Sequence, residues 1–382
     1  MTSRERVNLA LNHKEPDRIP LDIGGTIITS ITKNAYLNLR RFLGMETDSV
    51  KVFDHVQQLP FIDEAFFQKI GVDVRPVQSR YVSTEDQQFF EEGGYYYFYD
   101  RWGSKLMMPV ENGHYYDWRE FPITDIGMEA LERYTWPEPD EKESFTSLKE
   151  RAEELDKEGE FAIIGTAIFG GGVFEQPSRM MGMDRFLLSL ALDPKFADTV
   201  MEKITDLYIE NCSRYLDQLG EYLDVFLYWN DVTGQNGPLI SPETYRTMVK
   251  PKDKRIIDAV KKKTDAKIFM HSCGAIKDFI PDLIDIGVDI LNPVQVSAAG
   301  MDTAVLKREF GKDICFWGGG CDTQWVLPHG SLEEVREETK KRIEDLAPGG
   351  GFIFNAIHNI QDDVPPENIM AMVETLHEYG SY

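Results

Sequence analysis

Two rhythms of apolar positions alternate along this chain. Short unbroken apolar runs are bounded by Gly, Pro, Asn and Asp, and between them apolar residues recur every three or four positions. The first pattern predicts strands buried on both faces, the second amphipathic helices. Strands are expected at Ile19 to Ile23, Val72 to Val77, Phe161 to Gly165, Asp224 to Trp229, Lys267 to His271, Val288 to Leu291, Asp313 to Trp317 and Phe352 to Phe354. Helices are expected from Ser3 (as N-cap) to Leu11, Lys33 to Leu43, Phe61 to Ile70, Glu143 to Lys157 and Arg179 to Leu219. Further helices run from Ala275 to Ile286, Asp302 to Phe310, Ser331 to Leu346 and Pro366 to Tyr379. Another is entered at Ser241-Pro242, a cap followed by proline at the first helical position. Eight strands, each followed by a helix or by a loop and a helix, can close into a (β/α)8 TIM barrel, here expected to span residues 1–382. The alternative is a doubly wound open sheet, but no G-x-G-x-x-G follows the first strand.

Residues 80–140 break the rhythm. Tyr95 to Tyr99 and Trp102 to Met108 are rich in strand formers, and Tyr115-Tyr-Asp-Trp118 follows. A β-hairpin insertion after the second strand is expected, folded over the barrel mouth. Its aromatics, Tyr97 and Trp102 among them, either wall a substrate or anchor the insertion to the core.

A hydrophobic fraction of 42% with 22 Phe supports a large core. The net charge of −24 excludes the usual nucleic-acid and anionic-membrane binders, which need clustered Lys and Arg. The basic run from Lys250 to Lys263 reads as the solvated face of one helix. The chain opens on Met1-Thr-Ser-Arg-Glu-Arg, without an apolar leader, and no apolar stretch reaches about 18 residues. A cytoplasmic protein with reduced thiols is expected, its four cysteines available for ligation or burial.

In such barrels chemistry sits at the carboxyl ends of the strands. Those ends carry Asp22, Asn230 and Asp231, His271 and Cys273, Gln295, Cys321, and His358. An imidazole and a thiol two residues apart at a strand end suit zinc. His271 and Cys273, with Cys321, His358 or both, are the candidate metal ligands; buried thiols and a substrate-binding histidine are the alternative. Cys212 and Cys315 are expected in the core. Asp231 and Glu175 are candidates for acid, base or orienting roles, although Asp at a strand end is also good turn chemistry. Asp22, Asn230 and Gln295 are candidate substrate contacts. Arg18 either binds an anionic group or forms a surface ion pair.

Four stretches make the chain resemble the uroporphyrinogen decarboxylase superfamily. They are Arg4-Glu-Arg-Val with Pro16-Asp-Arg-Ile-Pro, Ser241-Pro-Glu, His271-Ser-Cys-Gly with Leu283-Ile-Asp-Ile-Gly-Val-Asp, and Gly349-Gly-Gly-Phe-Ile through His358 to Pro365-Pro-Glu-Asn. The resemblance implies a (β/α)8 barrel with its site at the strand carboxyl ends. Decarboxylases of the group carry an Arg-Gln-Ala-Gly-Arg loop after the first strand that holds the substrate's carboxylates. Here that place is taken by Asp22-Ile-Gly-Gly-Thr-Ile-Ile, without arginine. The chain is more similar to the zinc-dependent, corrinoid-linked methyltransferases, which bind zinc through His-x-Cys and a later cysteine. His271 and Cys273 match the pair, while His358 stands where the later cysteine falls. The resemblance implies methyl transfer between a small methylated substrate, possibly a methoxylated aromatic, and methylcobalamin on a partner corrinoid protein. Decarboxylation of a porphyrinogen-like acid and non-catalytic corrinoid or metal binding are the rival expectations.

Overall fold

The computed structural model describes residues 1–48, 50–79 and 87–382. Its main sheet has seven parallel strands whose spatial order follows the chain: Val74–Gln78, Ala162–Thr166, Val225–Trp229, Lys267–His271, Ile290–Asn292, Cys315–Trp317 and Phe352–Ile353. Ala162–Thr166 and Val225–Trp229 are buried at every position, as expected of strands covered on both faces. Helices alternate with the strands and pack around the sheet, giving the α/β barrel the sequence predicts.

The expected first strand is reduced to a single parallel bridge, Leu21 to Phe354. The Asp22 N–H donates to the Phe354 carbonyl (2.8 Å) and the Phe354 N–H to that of Pro20 (2.8 Å). On the other side, the Asp73 N–H donates to the Leu21 carbonyl (2.9 Å), closing the ring. Pro20 has no N–H to donate, and the Gly24-Gly25 turn follows at once, so the ladder stops there.

Helix ends follow their caps. The first helix, Ser3–Leu11, is capped by Thr2 in a reciprocal capping box with Glu5. The expected cap Ser3 instead points its hydroxyl at Asp73 (2.7 Å). Ser331 forms a second capping box with Glu334 at Leu332–Leu346. The expected single helix after Gly274 is a short 3-10 turn, Lys277–Phe279, running into Ile280–Asp285, with Pro281 in the first turn.

The insertion is larger than one hairpin. Phe90–Glu92, Tyr95–Tyr99, Lys105–Pro109 and Asp117–Glu120 form a four-stranded antiparallel sheet, and the first seven residues of the 80–140 stretch lie outside the described residues. Buried Trp102 donates its Nε1–H to the Phe169 carbonyl (2.9 Å), and the Tyr116 N–H donates to the Val56 carbonyl (3.0 Å). Among the described residues no helix is long and apolar enough to cross a membrane. All four cysteines are free thiols; Cys212 and Cys315 are buried, as expected of core positions.

Two buried carboxylates organise opposite ends of the barrel. At the floor, fully buried Asp73 accepts from the Ser3 hydroxyl, Arg6 Nη1 (2.8 Å), Arg18 Nη1 (2.7 Å) and the Leu21 N–H (2.8 Å). Arg18 thus clamps the barrel closure to the first helix. Under the mouth, fully buried Asp253 accepts from the Tyr228 hydroxyl (2.7 Å) and Asn230 Nδ2 (2.9 Å). Burial pushes the Asp253 carboxyl up to about 7.

Asp73→Ala would leave two guanidiniums without their buried partner, so a loss of about 3–5 kcal/mol is expected in urea unfolding. Asp253 binds its proton more tightly folded than unfolded. Its contribution to stability is therefore full at acid pH below about 4 and lost as pH rises through about 7. Asp253→Asn has no such titration. Unfolding at a series of pH values should show wild type losing ground to the variant between pH 4 and 8; a pH-independent difference would exclude a raised Asp253.

Candidate metal centre and substrate pocket

Parallel pairing sets His271 beside Asn292 on one side and Trp229 on the other. His271 Nδ1 lies 2.5 Å from Asn292 Oδ1, and Asn292 Nδ2 donates to the Trp317 carbonyl (2.8 Å). That second bond orients the amide with its oxygen toward the imidazole, so Nδ1 carries the proton and the Nε2 lone pair is left outward. Nε2 faces Cys273 Sγ at 3.3 Å. The His358 ring stands edge-on to His271, centroids 5.3 Å apart. The ligand atoms of His271, Cys273 and His358 all lie within 4.8 Å of one another. Burial pulls His271 down to about 4 and His358 to about 3, so both imidazoles are neutral at pH 7 with lone pairs free to ligate. The Cys273 thiol is pushed well above its usual range by burial, then by the charges of Asp231 and Glu175. A bound cation would reverse that shift. Two imidazoles and one thiol are a donor set suited to zinc, with a position left open.

Cys321, the other candidate ligand, is not one of these three. It is buried on the side of Leu332–Leu346, where Thr339, Glu338 and Arg342 of that helix are its neighbours. The strand turns at Gly318 and Gly319, both at positive φ, and Cys321 ends against the helix layer.

Asp231 and Glu175 flank the cluster. Asp231 Oδ1 accepts the Cys273 N–H (2.8 Å) and lies 4.0 Å from His271 Nε2. Burial raises its proton affinity. The Cys273 loop depends on Gly274 (φ +93°), where a Cβ would sit 2.6 Å from the Gly234 carbonyl. Glu175 begins a short helix, Glu175–Met181, and ion-pairs with Arg179 one turn on. Its Oε2 is buried without a hydrogen-bond partner. Burial raises this carboxyl, Arg179 opposes the shift, and Asp231 adds to it.

Three expected substrate contacts hold the site rather than line it. Asn230 is fully buried; its Nδ2 goes to Asp253 and its Oδ1 accepts the Phe174 N–H (3.0 Å) and Glu175 N–H (3.4 Å). Gly172 permits this approach, since a Cβ there would meet the Trp229 carbonyl at 2.3 Å. Asp22 is sealed in the barrel, accepting from the Gly25 N–H (2.8 Å) and Trp317 Nε1 (2.9 Å). Gln295 accepts the Gly274 N–H (2.7 Å) and so braces the Cys273 loop. Of the insertion aromatics, Trp102 is an anchor, and Tyr97 stacks on Phe90 within the insertion sheet (5.1 Å).

The cavity above the metal-ligand cluster has a volume of about 260 Å3. His271, His358, Asp231 and Glu175 lie at its base, with Trp229, Ile27 and Ile28 on its sides. The insertion supplies Tyr115, Tyr116, Asp117 and Trp118, and the segment after the second helix supplies Asp54, Val56 and Gln57. Arg179 stacks over the Trp118 ring (4.3 Å). Sequence reasoning missed Arg179, although its place four residues after Glu175 marks one helix face. It also missed Asp54, in a short ribbon with no periodic signal, and Asp253, hidden in a basic run.

Known proteins share this architecture. A solved methyltransferase from Methanosarcina mazei superposes with a TM-score of 0.64 at 15% identity over 99% of both chains, a likeness of fold. Uroporphyrinogen decarboxylase of Syntrophotalea carbinolica is 26% identical over 301 residues, 72% of this chain and 77% of that protein. The Pseudoalteromonas translucida enzyme of the same name is 24% identical over 198 residues, and there the chain spans only 50% of the relative's length. The uroporphyrinogen decarboxylase (URO-D) family pattern runs through residues 120–379, from the end of the insertion sheet to the last helix. With more than half of its length matched, the chain belongs to the uroporphyrinogen decarboxylase family.

Proposed function

We propose that this member of the family is a methyltransferase, moving a methyl group between a small methylated substrate and a corrinoid carried on a partner protein. The observation that carries the reading is the convergence of His271, Cys273 and His358 at the base of an aromatic-walled cavity. These three residues would hold a zinc ion, which supplies Lewis acidity to a thiolate acceptor or to the heteroatom that leaves the methyl group. Asn292 fixes the His271 tautomer, and Asp231 holds the Cys273 loop through its N–H. Glu175, with one oxygen unpartnered and its proton affinity raised by burial, is placed to give or take a proton at that oxygen. Trp229, Tyr115, Tyr116 and Trp118 exclude water from the reacting atoms. The corrinoid would be presented to the mouth of this cavity by the partner protein that carries it.

The names of the curated relatives favour the rival reading, decarboxylation of a porphyrinogen-like acid. The pocket's charge opposes it. Among the described lining residues stand four carboxylates, Asp54, Asp117, Glu175 and Asp231, against one guanidinium, Arg179, which is already paired with Glu175. A substrate carrying several carboxylates would meet repulsion there.

Elemental analysis of protein reconstituted with zinc under reducing conditions should find about one zinc per chain. His271→Ala, Cys273→Ala and His358→Ala should lose it, and Cys321→Ala should keep it. Methyl transfer is followed by the conversion of cob(I)alamin to methylcobalamin in its visible spectrum. His271→Ala should lower that rate by at least about 100-fold. A wild type that stays metal-free and decarboxylates uroporphyrinogen would overturn the reading.

A further inference from the structure

One side chain in the cavity is not accounted for by the metal centre. Asp54 is only 3% exposed, yet it lines the pocket. Its carboxylate accepts the Gln57 N–H (2.7 Å) inside the turn that follows the Val52–Asp54 strand. Among the described residues no Lys, Arg or His comes within ion-pair distance of it. Arg179 acts on it only from farther away and ion-pairs with Glu175. A buried carboxylate without a countercharge is costly, and burial accordingly pushes Asp54 up to about 6. The walls beside it are aromatic. Tyr115, Tyr116 and Trp118 line the same cavity, and the bond from the Tyr116 N–H to the Val56 carbonyl ties that stretch to the Asp54 turn.

A lone buried carboxylate in a cavity walled by tyrosine rings is the chemistry that recognises organic cations, above all methylated ammonium groups. Such a cation is weakly hydrated, so desolvating it costs less than desolvating a primary ammonium, and the rings and the carboxylate both attract it. We propose that Asp54, Tyr115 and Tyr116 form a subsite for a methylated ammonium group on the small substrate. The substrate is then a cationic, choline-like molecule, in place of the neutral methoxylated aromatic that the aromatic insertion by itself brings to mind. This rests on the cavity being the substrate site of the proposed methyltransferase, but recognition of the cation needs neither zinc nor corrinoid; a quaternary nitrogen has no lone pair for zinc, so with such a donor the metal would serve the thiolate acceptor.

The test is calorimetric titration of the full chain with choline and with 3,3-dimethylbutan-1-ol, its neutral isostere, both with and without zinc. Choline should bind at least about tenfold more tightly than the alcohol. Asp54→Asn should bring the two within about twofold, and Tyr115→Leu should weaken choline more than the alcohol. Equal binding of the two isosteres to wild type, or a cation preference that survives in Asp54→Asn, would overturn the subsite. The wild-type comparison needs no variant, so a poorly folding substitution does not spare the proposal. Asp54-dependent choline binding without methyl transfer to cob(I)alamin from any choline-like donor would leave the cation subsite standing and remove the methyltransferase reading. Transfer from neutral donors with no choline preference would do the reverse.

Discussion

The hydrogen bond between His271 and Asn292 is the contact on which the site depends. It exists because two parallel strands are in register at their carboxyl ends, so that two side chains 21 positions apart meet at 2.5 Å. Asn292 is oriented in turn by the next strand, through the Trp317 carbonyl. Three successive strands therefore determine which imidazole nitrogen faces the cavity. A slip of one residue in the pairing of the His271 and Asn292 strands would put the two side chains on opposite faces of the sheet and break the contact.

Around that contact the protein arranges a series of supports with no chemistry of their own. Asp253 orients Asn230, Asn230 holds the start of the helix that carries Glu175 and Arg179, and Gln295 braces Gly274 behind Cys273. Asp253 and Asn230 are buried polar groups with their bonds satisfied inside the protein, as the low dielectric of the interior requires, and Gln295 is half-buried. These residues were attractive as substrate contacts because polar groups at strand ends are expected to face a ligand. The structure shows the other use of such groups, which is to fix the loops that do.

The cavity combines a floor made by the barrel with walls made by added segments. The barrel contributes nitrogen and sulfur donors from the fifth and eighth strand ends; the insertion and the Val52–Pro60 ribbon contribute rings and Asp54. This division lets one family scaffold keep its base while the walls select the molecule that enters. The excess of carboxylates over cations in the lining is a property of the walls as much as of the base.

Much of this was written in local sequence. Seven of the strands, most of the helices, the Ser241 cap, and the pairing of His271 with Cys273 are legible because burial on both faces, 3.6-residue periodicity and a two-residue spacing are local signals. The first strand is shorter than its apolar pattern predicts, since Pro20 and Gly24-Gly25 leave it one parallel bridge. What only the tertiary structure decided is which distant residues share a point. His358 joins His271, 87 positions away, whereas Cys321, nearer in sequence, ends against the helix layer after the turn at Gly318 and Gly319. Strand pattern determines that a residue stands at the barrel mouth, but the direction of the loop after the strand determines whether it faces the axis or the helices. That direction is set by close packing across the whole barrel and has no local signature.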